Sequence, residues 1–339
     1  MDLTDRINAF ARLGNRLLEP EFMASAISCA ARDNTWFTIR EIRRALKAWS
    51  VLLAKDNLEH WMARYPAIPY DGPDEILVIT AGNIPLAGFH DFLSVLLTGN
   101  RFTGQLSSRD NILLPAIAGH LAGIEPEFEQ LIDFTGIPGN EFDAVIATGS
   151  NNTARYFSQQ YDKMPHIFRR NRNSVAILDG SENESDLEGL ASDILNYYGL
   201  GCRSISQVLA PFGYGTDRLV SSLAGFRDLD PNQSYENNLD YQRARLTILN
   251  QPYTDTKKVL LAAGDNLHSP IGIVNLAYYK DGEFPGRYLT LHSDQIQCIV
   301  GHALSGYTVV PFGAAQQPAL WDYADGIDTI DFLINLKNK

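Results

Sequence analysis

Cysteine is scarce in this chain, with three in 339 residues, at Cys29, Cys202 and Cys298. They lie far apart and form no CxxC pair, which argues against a disulfide framework or a zinc–cysteine site. Long apolar runs are missing too; none approaches the eighteen or so residues that a membrane helix needs. Nor is there a low-complexity tract or a surplus of positive charge. The 28 Lys and Arg stand against 40 Asp and Glu, a net charge of -12. Without a basic face to neutralise phosphates, nucleic acid is not an expected partner. An acidic total still permits a local basic pocket for a small anion. The opening MDLTDRINAF is acidic at its second residue and lacks the basic-then-apolar order of a signal peptide. The expectation is a soluble, cytoplasmic protein without a membrane span.

What is present is material for a sizeable core. The chain is 45% hydrophobic and 20% charged, and dividing its length by about 150 suggests two domains. Up to about residue 65 the pattern is helical, with apolar residues at three-four spacing through Ile7, Phe10, Ala11, Leu17 and Leu18. The same spacing recurs through Trp36, Ile39, Ile42, Leu46, Trp49 and Leu52. Ile76–Ile79 then has the length of a buried strand and ends in Thr80-Ala81-Gly82-Asn83. A buried helix from Leu86 to Leu97, a strand over 102–106, a helix over 111–123 and a strand at Val145–Thr148 follow. Such alternation predicts an α/β protein with a doubly wound parallel sheet, whose ligands bind beyond the carboxyl ends of the strands. Further on come a strand at Val175–Leu178 and a helix from Ser185 towards Tyr198. A polar stretch over 227–240 precedes strands at Lys258–Ala262 and Ile273–Tyr278. The expected division is 1–172 for the helices and nucleotide-binding domain, 173–310 for a catalytic domain, and 311–339 for a C-terminal return segment.

Cys202 lies in YYGLGCRSIS, between glycines that let a bound group approach the backbone and a cation that favours thiolate. A small buried hydrophobe is the competing interpretation, and it is preferred for Cys29 and Cys298. Asn83 follows a strand, where its amide suits either a turn or a developing oxyanion. Thr148-Gly149-Ser150 opens a helix, as a phosphate site or as a simple cap. His292 and His302 receive no role, and the acidic stretch Asp179–Glu188 has the composition of a loop entering a capped helix rather than a metal site.

The order of the pieces is more specific than any one of them. Strand then AGNIP, strand then GQLSS, strand then TGS, and helix then GLGC together resemble the aldehyde dehydrogenase superfamily. The acyl-CoA reductase branch, with the fatty acyl-CoA reductases of bacterial luminescence, resembles the chain best, and VVPFGAAQQPALWDYADGIDTIDFL is similar to its C-terminal pattern. The similarity spans roughly residues 70–335. It implies an aldehyde-dehydrogenase-like fold with Cys202 as the nucleophile that accepts an acyl group from CoA or a carrier thioester. Asn83 and the Cys202 N–H would form the oxyanion hole, and Thr148, Gly149 and Ser150 would approach the cofactor pyrophosphate. Gln105, Ser107 and Ser108 would meet the adenosine ribose.

Departures from the family pattern add to this. Gln105 replaces the usual lysine and Ala154 a glycine. Ser108 stands where an acidic residue often binds the ribose, with Arg109 beside it, so NADPH is expected over NADH. The water-activating glutamate of acid-forming members has no counterpart in His166–Arg172, whose arginines suit a solvated turn or CoA and cofactor phosphates. Transfer from CoA needs no such base, so the expected reaction is reduction of an acyl-CoA thioester to an aldehyde. An aldehyde-oxidising enzyme of the same fold, or a degenerate acyl-binding protein without redox activity, are the alternatives. The resemblance also implies a homo-oligomer.

Overall fold

The computed structural model describes residues 1–65, 73–134, 141–149, 157 and 159–336. Two compact units result, one of Met1–Asn171 with Ala319–Lys339 and the other of Arg172–Pro318.

The first unit opens with four helices, α1 (Leu3–Arg16), α2 (Ala24–Asp33), α3 (Ile39–Leu52) and α4 (Lys55–Met62). A capping box starts α1: the Asp2 carboxylate accepts the Asp5 N–H at 2.8 Å and the Asp5 carboxylate accepts the Asp2 N–H at 3.2 Å. Of the apolar residues that set the helical spacing, Phe10, Ile42 and Leu46 are buried, whereas Leu18 and Ile39 lie at the surface. The sheet comprises β1 (Glu75–Ile79), β2 (Arg101–Gln105), β3 (Ile132–Asp133), β4 (Ala144–Thr148) and β5 (His166–Arg169), all parallel, in the order β3-β2-β1-β4-β5. Helices α5 (Phe89–Leu97) and α6 (Leu113–Ile124) link the strands. Ile76–Ile79 is apolar at every position because a parallel strand is covered on both faces. On one face Leu77, Ile79, Val145 and Ala147 pack with Phe157 and Tyr161. Elsewhere Phe10, Phe92, Phe102 and Phe128 meet edge to face, with centroids 5.0–6.3 Å apart.

The C-terminal segment is fastened into this unit by polar bonds. Trp61 Nε1 donates to the Tyr323 hydroxyl at 2.7 Å, and the Tyr65 hydroxyl donates to Asp328 at 2.6 Å. The residues expected to form a solvated basic turn behave otherwise: His166–Arg169 is a strand, and Arg169 is buried. Its Nη1 reaches both carboxylate oxygens of Asp91 on α5, at 2.6 and 2.5 Å, and its Nη2 donates to Thr329 Oγ1 at 2.8 Å on α11 (Thr329–Ile334).

In the second unit β6 (Asn173–Ile177), β7 (Ile205–Pro211), β8 (Tyr253–Asp255), β9 (Leu260–Ala263), β10 (Ile273–Tyr279) and β11 (Ile296–Gly301) form one sheet, ordered β11-β6-β7-β10-β9-β8. Only β8 runs antiparallel to its neighbour. Neighbouring residues serve opposite faces: Ala176, Val208 and Ala210 pack beneath α7 (Glu184–Leu195) and α8 (Asp217–Gly225), while Val175 and Leu209 pack against α10 (Phe284–Leu291). Cys298 belongs to the first of these cores, as its packing interpretation requires. The polar stretch over 227–240 turns out to enter a helix, α9 (Gln233–Ile248), capped by Asn232, whose side chain accepts the Tyr235 N–H. Its buried stripe is only Tyr235, Leu239, Gln242 and Leu246, too thin to stand out among polar neighbours.

All four tryptophans, Trp36, Trp49, Trp61 and Trp321, belong to the first unit, so their fluorescence reports its unfolding. Asp91→Ala leaves the Arg169 charge buried without its counter-ion and is expected to cost about 3–5 kcal/mol in urea unfolding followed by that signal. A loss under about 1 kcal/mol would show that the pair does not hold α5 to β5.

Candidate functional site

In the first unit the chain runs outward from β1 through β2 to β3, then returns to β4 on the other side of β1 and continues to β5. The direction of winding therefore reverses between β1 and β4, and ligands of such sheets sit beyond the carboxyl ends at that reversal. Thr80-Ala81-Gly82-Asn83 leaves β1 there and Thr148-Gly149 leaves β4. Asn83 is half-buried, as are Thr148 and Gly149; Ser150 and Ala154 lie outside the described residues.

The loop after β2 is knitted to the loop after β1. The Thr80 N–H donates to the Gln105 carbonyl at 3.0 Å, and the Ser107 N–H to Thr80 Oγ1 at 3.2 Å. Gly82 lies against this second loop so closely that an added Cβ would come within 2.5 Å of Ser107 Oγ. Ser107 Oγ in turn accepts the Arg109 N–H at 3.3 Å, which turns Ser108 and Arg109 outward; both are exposed, as is Gln105. Sequence reasoning missed Asp110. Its carboxylate is buried and accepts the Leu86 N–H at 2.7 Å, where Leu86 has a left-handed φ of 61°. Burial pushes the Asp110 carboxyl up to about 6, against the pull of its backbone N–H bonds. A carboxylate thus fixes the connection that carries Asn83.

In the second unit α7 ends at Leu195, and Tyr197, Tyr198 and Gly199 all have positive φ, at 54°, 55° and 74°. Bulky residues rarely adopt this conformation, and both tyrosines are held in it by burial. The Tyr198 hydroxyl also donates to the Asp230 carbonyl at 3.2 Å. No sequence signal announces two tyrosines at such a bend. It delivers Gly201-Cys202 to a turn just before the amino end of β7. In that turn Ser204 N–H donates to the Gly201 carbonyl at 3.0 Å and Ser174 Oγ to the Cys202 carbonyl at 2.9 Å. Cys202 is exposed, whereas Cys298 is buried. Arg203 turns its Nε to the Ala315 carbonyl and its Nη2 to Cys298 Sγ, the latter at 3.6 Å.

By sequence the chain matches no family model, and no curated protein matches it. By structure it is similar to an oxidoreductase of Marinobacter aquaeolei, with 10% identity and a TM-score of 0.70 over 94% of this chain and 79% of that one. It is also similar to an aldehyde dehydrogenase of Physcomitrella patens in complex with its reaction product succinate: 13% identity, TM-score 0.68, 99% of this chain and 84% of that one. A third is the indole-3-acetaldehyde dehydrogenase of P. syringae in complex with NAD+ and IAA: 14% identity, TM-score 0.66, 90% of this chain and 73% of that one.

The chain has the aldehyde dehydrogenase fold. The expectation that it reduces an acyl-CoA is corrected by these likenesses, since the similar structures named are aldehyde dehydrogenases and an oxidoreductase, not acyl-CoA reductases. The basic segment, expected as a solvated turn or a site for CoA and cofactor phosphates, lends that reaction little support. Arg169 is consumed by Asp91 and Thr329, and Arg172 Nη1 donates to the Ile296 carbonyl at 3.2 Å.

His302, at the carboxyl end of β11, lies at the opposite edge of its sheet from Cys202. Its Nδ1 is 3.0 Å from Asp179 and its Nε2 3.4 Å from Asp186. The hydrogen bond to Asp179, with the field of both carboxylates, holds the His302 pKa above the ordinary 6.5. Burial works against ionisation of Asp179, but Ser181 and His302 outweigh it and bring that carboxyl down to about 2. A raised histidine pKa contributes stability below 6.5 that is lost as pH rises through the folded value. The depressed Asp179 contributes above 3.8 and loses its part as pH falls towards about 2. His302→Gln should therefore lower Tm more at pH 6 than at pH 9, with equal deficits at both values refuting the ion pair's contribution.

Proposed function

We propose that this protein oxidises an aldehyde with NAD(P)+, using Cys202 as the nucleophile. The single observation that carries this is the exposed Cys202 thiol, on a turn held from two sides, in a chain that shares the aldehyde dehydrogenase fold over nine-tenths of its length. The thiolate adds to the carbonyl carbon, and the resulting oxyanion is met by the Cys202 N–H. A bound nicotinamide supplies the acceptor for the hydride that leaves this adduct. The acyl group is then a thioester on Cys202, and water releases it as the acid.

A dinucleotide fits the residues at the winding reversal of the first sheet. Gly149, which leaves β4 there, offers backbone without a side chain. In this reading Thr148, Gly149 and Ser150 hold the pyrophosphate, and Gln105, Ser107 and Ser108 hold the adenosine ribose. Ser108 brings no carboxylate to repel a 2′-phosphate, and the exposed Arg109 supplies a cation for one, so NADP+ is preferred to NAD+. Arg109→Ala should raise KM for NADP+ about tenfold and leave that for NAD+ unchanged; equal turnover with both cofactors in the wild type would end the preference.

Thioester hydrolysis needs a base to prepare the water. Residues 166–172 contain no carboxylate, and their one buried charge is neutralised by Asp91. Release of the acid is therefore the slow step. Rapid mixing with NADP+ and a panel of aldehydes should give a burst of one reduced cofactor per subunit, followed by slow turnover. Cys202→Ala should abolish the burst. No reduced cofactor from any aldehyde, or a full burst in Cys202→Ala, would overturn the proposal.

A further inference from the structure

A buried carboxylate with no place in the reaction above lies behind the Cys202 turn. Asp193 sits two residues before the end of α7 and is fully buried. Its two oxygens accept backbone N–H groups from a separate segment, Gly313 at 2.7 Å and Ala315 at 3.0 Å, and the Arg203 charge also favours its ionised form. That segment rests directly on the helix. At Gly189, one turn earlier, an added Cβ would come within 2.7 Å of the Phe312 carbonyl carbon and 2.8 Å of the Gly313 nitrogen.

From there the same segment reaches the turn. The Ala315 carbonyl accepts from Arg203 Nε, and Gln316 Nε2 donates to Ser204 Oγ at 3.1 Å. The two residues that follow Cys202 are thus both held by residues 315 and 316, and these are held by Asp193. On the other side the Cys202 carbonyl is held by Ser174 on β6. We infer that Asp193 is a positioning residue: through the brace Gly313–Gln316 it fixes Arg203 and Ser204, and with them the direction of the Cys202 thiol. Burying an acid costs free energy that two neutral N–H bonds do not fully return, and burial leaves this carboxyl pushed up to about 6. An apolar residue would fill the same space without that cost but could not draw two amides of a loop onto a helix.

The inference rests on Cys202 being the nucleophile, but its first readout does not need the substrate. Alkylation of Cys202 by iodoacetamide, followed by peptide mass spectrometry, is compared in wild type, Asp193→Asn, Gln316→Ala and the double variant. Cys29 in the first unit serves as the internal reference. Each single variant should change the rate of Cys202 alkylation at pH 7 at least fivefold while Cys29 is unaffected, because a loosened turn no longer holds the thiol at one angle. In rapid mixing with NADP+ and aldehyde, the burst rate should fall at least tenfold with the burst amplitude within twofold. The double variant should be no more than twofold worse than the worse single one, since both cut the same brace. Asp193→Asn that lowers Tm yet leaves alkylation and the burst rate unchanged makes Asp193 a residue of the fold only and overturns the inference, as do effects that multiply. If Asp193→Asn does not fold, Gln316→Ala, at a half-exposed residue, decides by the same criteria. Activity that survives in Cys202→Ala would remove the proposed chemistry, while alkylation would still judge the brace.

Discussion

A parallel strand cannot reach its neighbour by a hairpin; the chain must cross over the sheet and start again from the same edge. Both sheets of this protein are built under that constraint, with β8 as the one exception. In the first unit it gathers every outgoing loop at one edge, so that residues 80–83, 105–110 and 148–149 become neighbours though they are far apart in sequence. It also demands cover on both faces, which explains why β1 and β4 are apolar almost throughout. In the second unit the same rule sends His302 and Asp179 to one edge and leaves the Cys202 turn at the other, at the entry to β7. Two chemically distinct clusters in one small sheet are kept apart by strand direction alone.

Loops brought to an edge are not thereby rigid, and the fastenings here are buried carboxylates. Asp91 binds the Arg169 guanidinium, Asp110 the backbone amide of the strained Leu86, and Asp193 two amides of a distant segment. Apolar packing is non-directional and cannot specify which amide of a loop meets which point on a helix, whereas a carboxylate does so at the expense of desolvation. Asp110 and Asp193 accordingly have carboxyls raised to about 6, while the exposed Asp179, with cationic and hydroxyl partners, goes the other way. Burial distinguishes the fastenings from the surface pair.

Much of this architecture was legible in the sequence because periodicity and glycine turns report burial directly. The strands over 75–79, 101–105, 144–148, 173–177 and 273–279 were expected nearly where they occur, as was the helix that precedes Cys202. The misses have separate physical causes. Helix α9 buries a stripe one residue wide per turn, so its period is drowned by polar neighbours. Strand β5 was concealed by its arginines, since a charge is read as solvated unless its partner is known, and Asp91 lies 78 residues away in sequence. Asp110 and Asp193 gave no sign because an acid in a helix or a turn is ordinarily at the surface. At the candidate site, the residue types were legible and their supports were not.

The buried pair also explains why a missing base is a poor guide to the direction of reaction. Once an acyl group is on a cysteine, the same thioester stands on the path of aldehyde oxidation and of thioester reduction, and what differs is the group that takes it away. The basic character of residues 166–172 reads as a choice of chemistry only if those side chains face a ligand. Arg169 instead closes a structural triangle of α5, β5 and α11, and its identity is set by Asp91 and Thr329. The absence of a carboxylate there is compatible with a demand of the fold, and its chemical consequence falls on how fast the acyl group departs. In the proposed reaction the missing base thus bears on the rate of that departure and not on the direction of the chemistry.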